Sequence, residues 1–97
     1  MKELSFTVRQ KVLNIVDLAM RIGFGEDCVD NENPLVFTEY APHTCCLYVR
    51  ILPLGFHRGE PSISTEYHVY LDSSDCMSEL SKIECILVGM LKVKESV

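Results

Sequence analysis

Residues 44–52 and 62–71 alternate apolar and polar side chains, the period of two expected of a half-buried β-strand. The segment between them carries Gly55, Gly59 and Pro61, which interrupt regular pairing and favour turns. The two stretches predict an antiparallel hairpin. Pairing Val49 with Tyr67 sets Cys45, Leu47, Val49 and Ile51 beside Leu71, Val69, Tyr67 and Thr65 on one apolar face. The other face then carries Cys46, Tyr48, Arg50, Glu66, His68 and Tyr70, with Arg50 opposite Glu66 and Tyr48 opposite His68. A slip by one residue would move Glu66 and His68 into the apolar row, so burial selects this register. An Arg50–Glu66 pair directly across the ladder is expected to add about 0.2–1 kcal/mol.

A further strand is predicted over residues 35–40, with Leu35 and Phe37 facing inward and Val36, Thr38 and Tyr40 facing out. Ala41 and Pro42 supply the turn into the hairpin. On the N-terminal side, Val8, Val12, Ile15, Val16, Ala19 and Ile22 recur at helical spacing, which predicts an amphipathic helix over residues 7–22. Ser5 or Thr7 is its expected N-cap, and Gly23 its expected left-handed C-cap. Asp72, Ser73, Ser74 and Asp75 form a dense helix-start signal. The helix that follows, residues 75–94, carries a stripe of Cys76, Leu80, Ile83, Leu87, Met90 and Leu91. The order is helix, three strands, helix. Apolar faces of an antiparallel sheet and two helices satisfy one another most simply when both helices lie on one side. The predicted fold is therefore α+β, a two-layer αβββα sandwich forming one domain over residues 1–97, with the other sheet face left open.

Length and composition agree with this picture. A chain of 97 residues, 47% hydrophobic and 24% charged, supports one modest core and is not intrinsically disordered in composition. Its net charge of −5 disfavours non-specific attraction to nucleic acid or anionic membrane. No apolar run approaches the roughly 20 residues that span a bilayer. The sequence from Met1 opens into an amphipathic pattern containing Glu3, Arg9 and Lys11, unlike a signal peptide. The expected location is the cytoplasm, where the five cysteines (Cys28, Cys45, Cys46, Cys76 and Cys85) stay as free thiols.

The chemistry-bearing groups lead away from catalysis. His43, Cys45 and Cys46 lie together, but zinc sites present ligand pairs two to four residues apart, twice over, and there is no Cys-x-x-Cys. Cys46 shares a predicted face with His68, yet no orienting acid or oxyanion hole is identified for a thiolate nucleophile. Neither a Gly-x-Ser-x-Gly elbow nor a phosphate-cradling glycine loop occurs. Glu26, Asp27, Asp30 and Glu32 lack the alternating spacing and central glycine of a calcium-binding EF-hand, and read as a solvated acidic loop or a contact for a basic partner. Leu54 to Glu60 is different: Phe56, His57 and Arg58 stand at a hairpin tip, and an aromatic beside an arginine is the pairing that dominates interface hot spots.

The element order is similar to that of double-stranded RNA-binding domains, with Ala41-Pro42-His43 before the second strand as a local likeness. That resemblance would imply phosphate contacts at the start of the second helix. This chain has Asp72-Ser73-Ser74-Asp75 there, where the family carries lysines. Tyr40, Tyr48 and Tyr70 offer an alternative platform for stacking single-stranded bases, accompanied by one cation, Arg50.

The expected function is that of a small cytoplasmic binding or inhibitor protein without catalysis, metal or cofactor, occupying a surface of a protein partner. Small acidic domains of this kind are common among phage or mobile-element inhibitors of host defence, which would place it in a host cytoplasm. The expected contacts are Tyr48, Arg50, Phe56, His57, Arg58, Glu66, His68 and Tyr70, with Glu26, Asp27, Asp30 and Glu32 as an acidic contact. One alternative is a homodimer pairing through the open face or the strand at 35–40, with a small-molecule pocket lined by Tyr48, Arg50, His68 and Tyr70. The other is a divergent nucleic-acid binder using the same face.

Overall fold

The computed structural model describes residues 3–25, 29–59, 61 and 63–95. Helix α1 (Phe6–Ile22) leads into strands β1 (Leu35–Ala41), β2 (Cys46–Leu52) and β3 (Thr65–Tyr70), and the chain continues into helix α2 (Cys76–Glu95). The strands form one antiparallel sheet in the order β1-β2-β3. The αβββα architecture expected from the hydrophobic pattern is the architecture found.

The core lies between the sheet and the two helices. Val8, Ile15, Leu18, Ala19 and Ile22 from α1 meet Leu80, Ile83, Leu87 and Leu91 from α2 and Val36, Leu47, Val49, Ile51 and Val69 from the sheet in one buried cluster. Every strand residue in that cluster belongs to a single face. The β2–β3 register is the predicted one: Val49 pairs with Tyr67, Tyr48 with His68 and Arg50 with Glu66. Lys11 bonds Glu84 at 2.9 Å and Arg21 approaches Glu95 at 3.5 Å. Contacts that advance together along both helices show that α1 and α2 run side by side in the same direction.

The phase of β1 is opposite to the sequence expectation. Val36, Thr38 and Tyr40 lie beside Ile51, Val49 and Leu47 on the core side, while Leu35, Phe37 and Glu39 share the outer face with Leu52, Arg50 and Tyr48. Val36 is 8% exposed and Phe37 43%. The cause is the turn. Ala41 pairs with Cys46 across a four-residue connection, so their side chains share a face, and Cys46 is fixed outward by the β2–β3 register. Cys45, expected within the strand, ends this turn in the left-handed region with φ 55°. It donates its N–H to Pro42 O, and its own carbonyl accepts the N–H of Leu71 at 2.8 Å.

The ends of α1 resolve one expectation and correct another. Ser5 is the N-cap, its Oγ accepting the N–H of Val8 at 3.2 Å. Gly23 is extended, with φ −166° and ψ 146°, and so is not a left-handed cap. The last carbonyls are satisfied from across the molecule: Lys94 Nζ donates to Arg21 O at 2.8 Å and Ile22 O at 2.9 Å. An ammonium there both fills orphan acceptors and offsets the negative helix end.

The β1 phase makes a direct prediction. Val36→Ala removes a packed methyl pair and should cost about 2 kcal/mol, whereas Phe37→Ala on the outer face should cost about 0.5 kcal/mol. Urea unfolding midpoints of the two variants check this, and the reverse ranking would restore the opposite phase.

Candidate functional site

Two helices cover one face of the three-stranded sheet; on the other face the end positions Cys46 and Leu52 are buried, and the middle of the face is uncovered. The uncovered face is built from every second residue of each strand: Phe37 and Glu39 of β1, Tyr48 and Arg50 of β2, and Glu66, His68 and Tyr70 of β3. Position in the sheet then sets exposure. The β2 side chains are flanked on both sides and half-buried, whereas those on β1 and β3 are exposed.

Two contact groups organise the face. The hydroxyl of Tyr48 donates to Glu66 Oε1, a diagonal pairing across the ladder. The same tyrosine ring meets His68 at 4.9 Å between centroids and 59° between planes. Beside them the Arg50 guanidinium lies 5.8 Å from the centre of the Phe37 ring, within the range of a cation–π contact. The register places Glu66 opposite Arg50, but the carboxylate is taken by Tyr48. Ion pairs among the described residues involve Lys11, Arg21, Arg58 and Lys82 and do not include Arg50. Arg50 Nε is buried and without a hydrogen-bond partner. An unpaired buried donor of a charged group is costly.

Next to this group a shallow depression of about 360 Å³ is lined by Glu39, Ala41, Thr44, Cys46, Tyr48, His68 and Tyr70. Cys46 is buried at its base. Among the described residues no three histidine, cysteine or acidic side chains gather as metal ligands, and Cys28 lies outside them.

The tip residues form a separate group at the far end of the hairpin. Asp30 N–H donates to Phe56 O at 2.7 Å, and Asp30 Oδ1 accepts the N–H of Arg58 at 2.8 Å. The Arg58 side chain also approaches Asp30 Oδ2 at 3.8 Å. His57 Nε2 contacts Leu54 O at 2.8 Å. Phe56 stays partly exposed, but the tip is tied to the segment after α1. Asp30 is thus a fastener of this loop, with Glu32 exposed nearby; Glu26 and Asp27 lie outside the described residues.

Sequence reasoning missed two features. Phe37 and Glu39 belong to the open face because of the β1 phase, and Tyr40 leaves it for the same reason, which breaks the three-tyrosine platform. Tyr40 instead lines a groove of about 1010 Å³ on the helix side, with Leu4, Val8, Val12, Cys45 and Cys76. No local signal marks this groove, because its walls come from α1, the β1–β2 turn and the start of α2. Partial burial, reinforced by a hydrogen bond with the Cys45 side chain, raises the Tyr40 hydroxyl above its usual 10.0.

Compared with protein-family models, with curated proteins and with solved structures, the chain finds no match in any of the three. No helix among the described residues is long and apolar enough to cross a membrane.

The Tyr48–Glu66 contact sets a pH dependence. The hydrogen bond to Glu66, followed by desolvation, raises the Tyr48 pKa above 10.0, because ionisation would lose the bond and place two negative charges together. A raised folded value favours the neutral form. Its contribution to stability is therefore complete below pH 10.0 and is lost as pH rises through the elevated value. Alkaline titration of the tyrosine ring carbons by NMR should show Tyr48 ionising late, and Glu66→Ala should return it toward 10.0 while Tyr40 stays raised. Equal behaviour of Tyr48 in both proteins would remove the contact.

Proposed function

We propose that this chain is a non-catalytic binding protein that uses the uncovered sheet face to occupy a surface of a protein partner. The observation that carries this reading is Arg50: a half-buried guanidinium, in no ion pair among the described residues, lying over Phe37 and beside Tyr48, with His68 diagonally across and Tyr70 farther along the same face. Arginine and tyrosine are the residue types that concentrate binding energy at the centre of interfaces. On β-strands they are held with little freedom left to lose on association. A partner that presents a carboxylate or backbone carbonyl to Arg50 and an apolar edge to Tyr70 fits this chemistry. By covering its partner's surface the chain would act as an inhibitor.

Two features weigh against a nucleic-acid partner. Among the described residues Arg50 is the one Lys or Arg on the face, and the first turn of α2 is approached by exposed Asp72 and Asp75, which would repel phosphate. A catalytic reading gains nothing from the face, since Cys46 is buried and His68 is engaged with an aromatic ring rather than with an orienting acid.

Quantitative capture from a lysate of the source organism, comparing the wild-type chain with Arg50→Ala and Tyr70→Ala, tests the reading. A hot-spot truncation costs about 2 kcal/mol or more, or roughly thirty-fold in affinity, so a specific partner should be depleted by each variant. Retention of the same partners by both variants, with loss on Phe56→Ala or Arg58→Ala instead, would move the contact to the hairpin tip.

A further inference from the structure

The outer side of α1 carries apolar surface for which the fold has no use. Phe6, Leu13, Met20 and Phe24 are 71%, 61%, 64% and 72% exposed. Phe6, Leu13 and Met20 are spaced seven residues apart, so they form one line along the helix that drifts by only about 20° per step. The buried row Val8, Ile15 and Ile22 repeats the same spacing two positions later, about 200° around the helix. One row packs the core and the other points away from it. Leu13 and Arg9 also border the groove that holds Tyr40, so the apolar surface widens toward that side.

The charges beside the row identify what fits it. In an antiparallel pairing of two α1 helices about a two-fold axis at Leu13, Phe6 of each copy meets Met20 of the other, and Leu13 meets Leu13. The same operation brings Arg9 of each copy to the level of Asp17 of the other, on the exposed side of the helix, giving two opposite-charge pairs. Arg21 falls level with Ser5 and meets no cation. A parallel pairing would instead set Arg9 against Arg9, Asp17 against Asp17 and Arg21 against Arg21, which is unfavourable throughout. The row is self-complementary in one direction only.

We infer that α1 is the interface of a homodimer, formed by antiparallel, two-fold packing of its Phe6–Leu13–Met20 row against a second copy of this chain. A two-fold contact of this kind is isologous, with each patch serving as its own partner. A 17-residue helix is about 26 Å long, and one helix pair buries less than the roughly 800 Å² per partner of a standard interface. The dimer is therefore reversible and concentration-dependent. Because the row lies on the side of α1 away from the sheet, both uncovered sheet faces stay free, and the dimer is a two-headed binder. Two heads raise apparent affinity for a repeated or dimeric partner by effective concentration alone. The dimer itself does not depend on what the sheet face binds.

Sedimentation equilibrium of the full chain over micromolar to millimolar concentration tests the inference, with circular dichroism confirming that each variant is folded. The wild-type chain should move from monomer to dimer. Leu13→Glu, an exposed position, should weaken the dimer by at least about tenfold by placing two carboxylates at the axis. Arg9→Asp should weaken it as well, and adding Asp17→Arg to that variant should restore it. A wild-type chain that stays monomeric at millimolar concentration overturns the dimer. A dimer unaffected by Leu13→Glu overturns the α1 interface and points to the sheet face or β1 edge. A double variant no tighter than Arg9→Asp alone overturns the antiparallel register.

Discussion

The structure depends on one constraint: the middle strand β2 buries its core-side row beneath the helices, while of its outer row only the end positions Cys46 and Leu52 are buried. Its inward residues Leu47, Val49 and Ile51 are almost fully removed from water, and at about 25 cal/mol per Å² of apolar surface that row dominates the energetics of the sheet. Two helices can cover one face of three strands. With α1 and α2 packed side by side and fastened by Lys11–Glu84 and Lys94, no element of the described chain remains for the other face. The open face is a consequence of element count and connectivity before it is anything functional.

Its chemistry follows from the same geometry. An antiparallel ladder presents cross-strand neighbours in fixed positions, and here it satisfies Glu66 through Tyr48 while leaving Arg50 to Phe37. A direct Arg50–Glu66 pair would have satisfied the guanidinium within the sheet. Diverting the carboxylate one diagonal step away leaves a guanidinium held in place by an aromatic ring, with a buried donor unfilled. The sharper end of the hairpin, by contrast, spends Arg58 on Asp30, so its basic group is used internally to hold two loops together.

Much of this was legible in the sequence, and the rest was hidden for identifiable reasons. The β2–β3 register could be read because a one-residue slip would bury Glu66 and His68, leaving a single acceptable answer. Strand β1 offers no such discrimination: Leu35 and Phe37 fall on one parity and Val36 and Tyr40 on the other, with no charged residue to penalise either until Glu39. Its phase was decided by the four-residue turn and the left-handed Cys45, a conformation that cysteine rarely advertises. The error carried forward to the site, exchanging Tyr40 for Phe37 and Glu39. The cap of α1 was hidden for a different reason. Gly23 is a sound local signal, but the carbonyls it would have served are met by Lys94 from the end of α2, and no local rule sees that far.

The central claim is that the uncovered sheet face is where this protein meets its partner. Carbene footprinting of the chain, free and in complex with its captured partner at the same protein concentration, tests it most directly. Protection of Phe37, Tyr48, His68 and Tyr70, with Ile86 and Val93 on α2 unchanged, is the predicted result. Protection confined to the helices or to Phe56, with Tyr48 and Tyr70 as accessible as in the free chain, would contradict it.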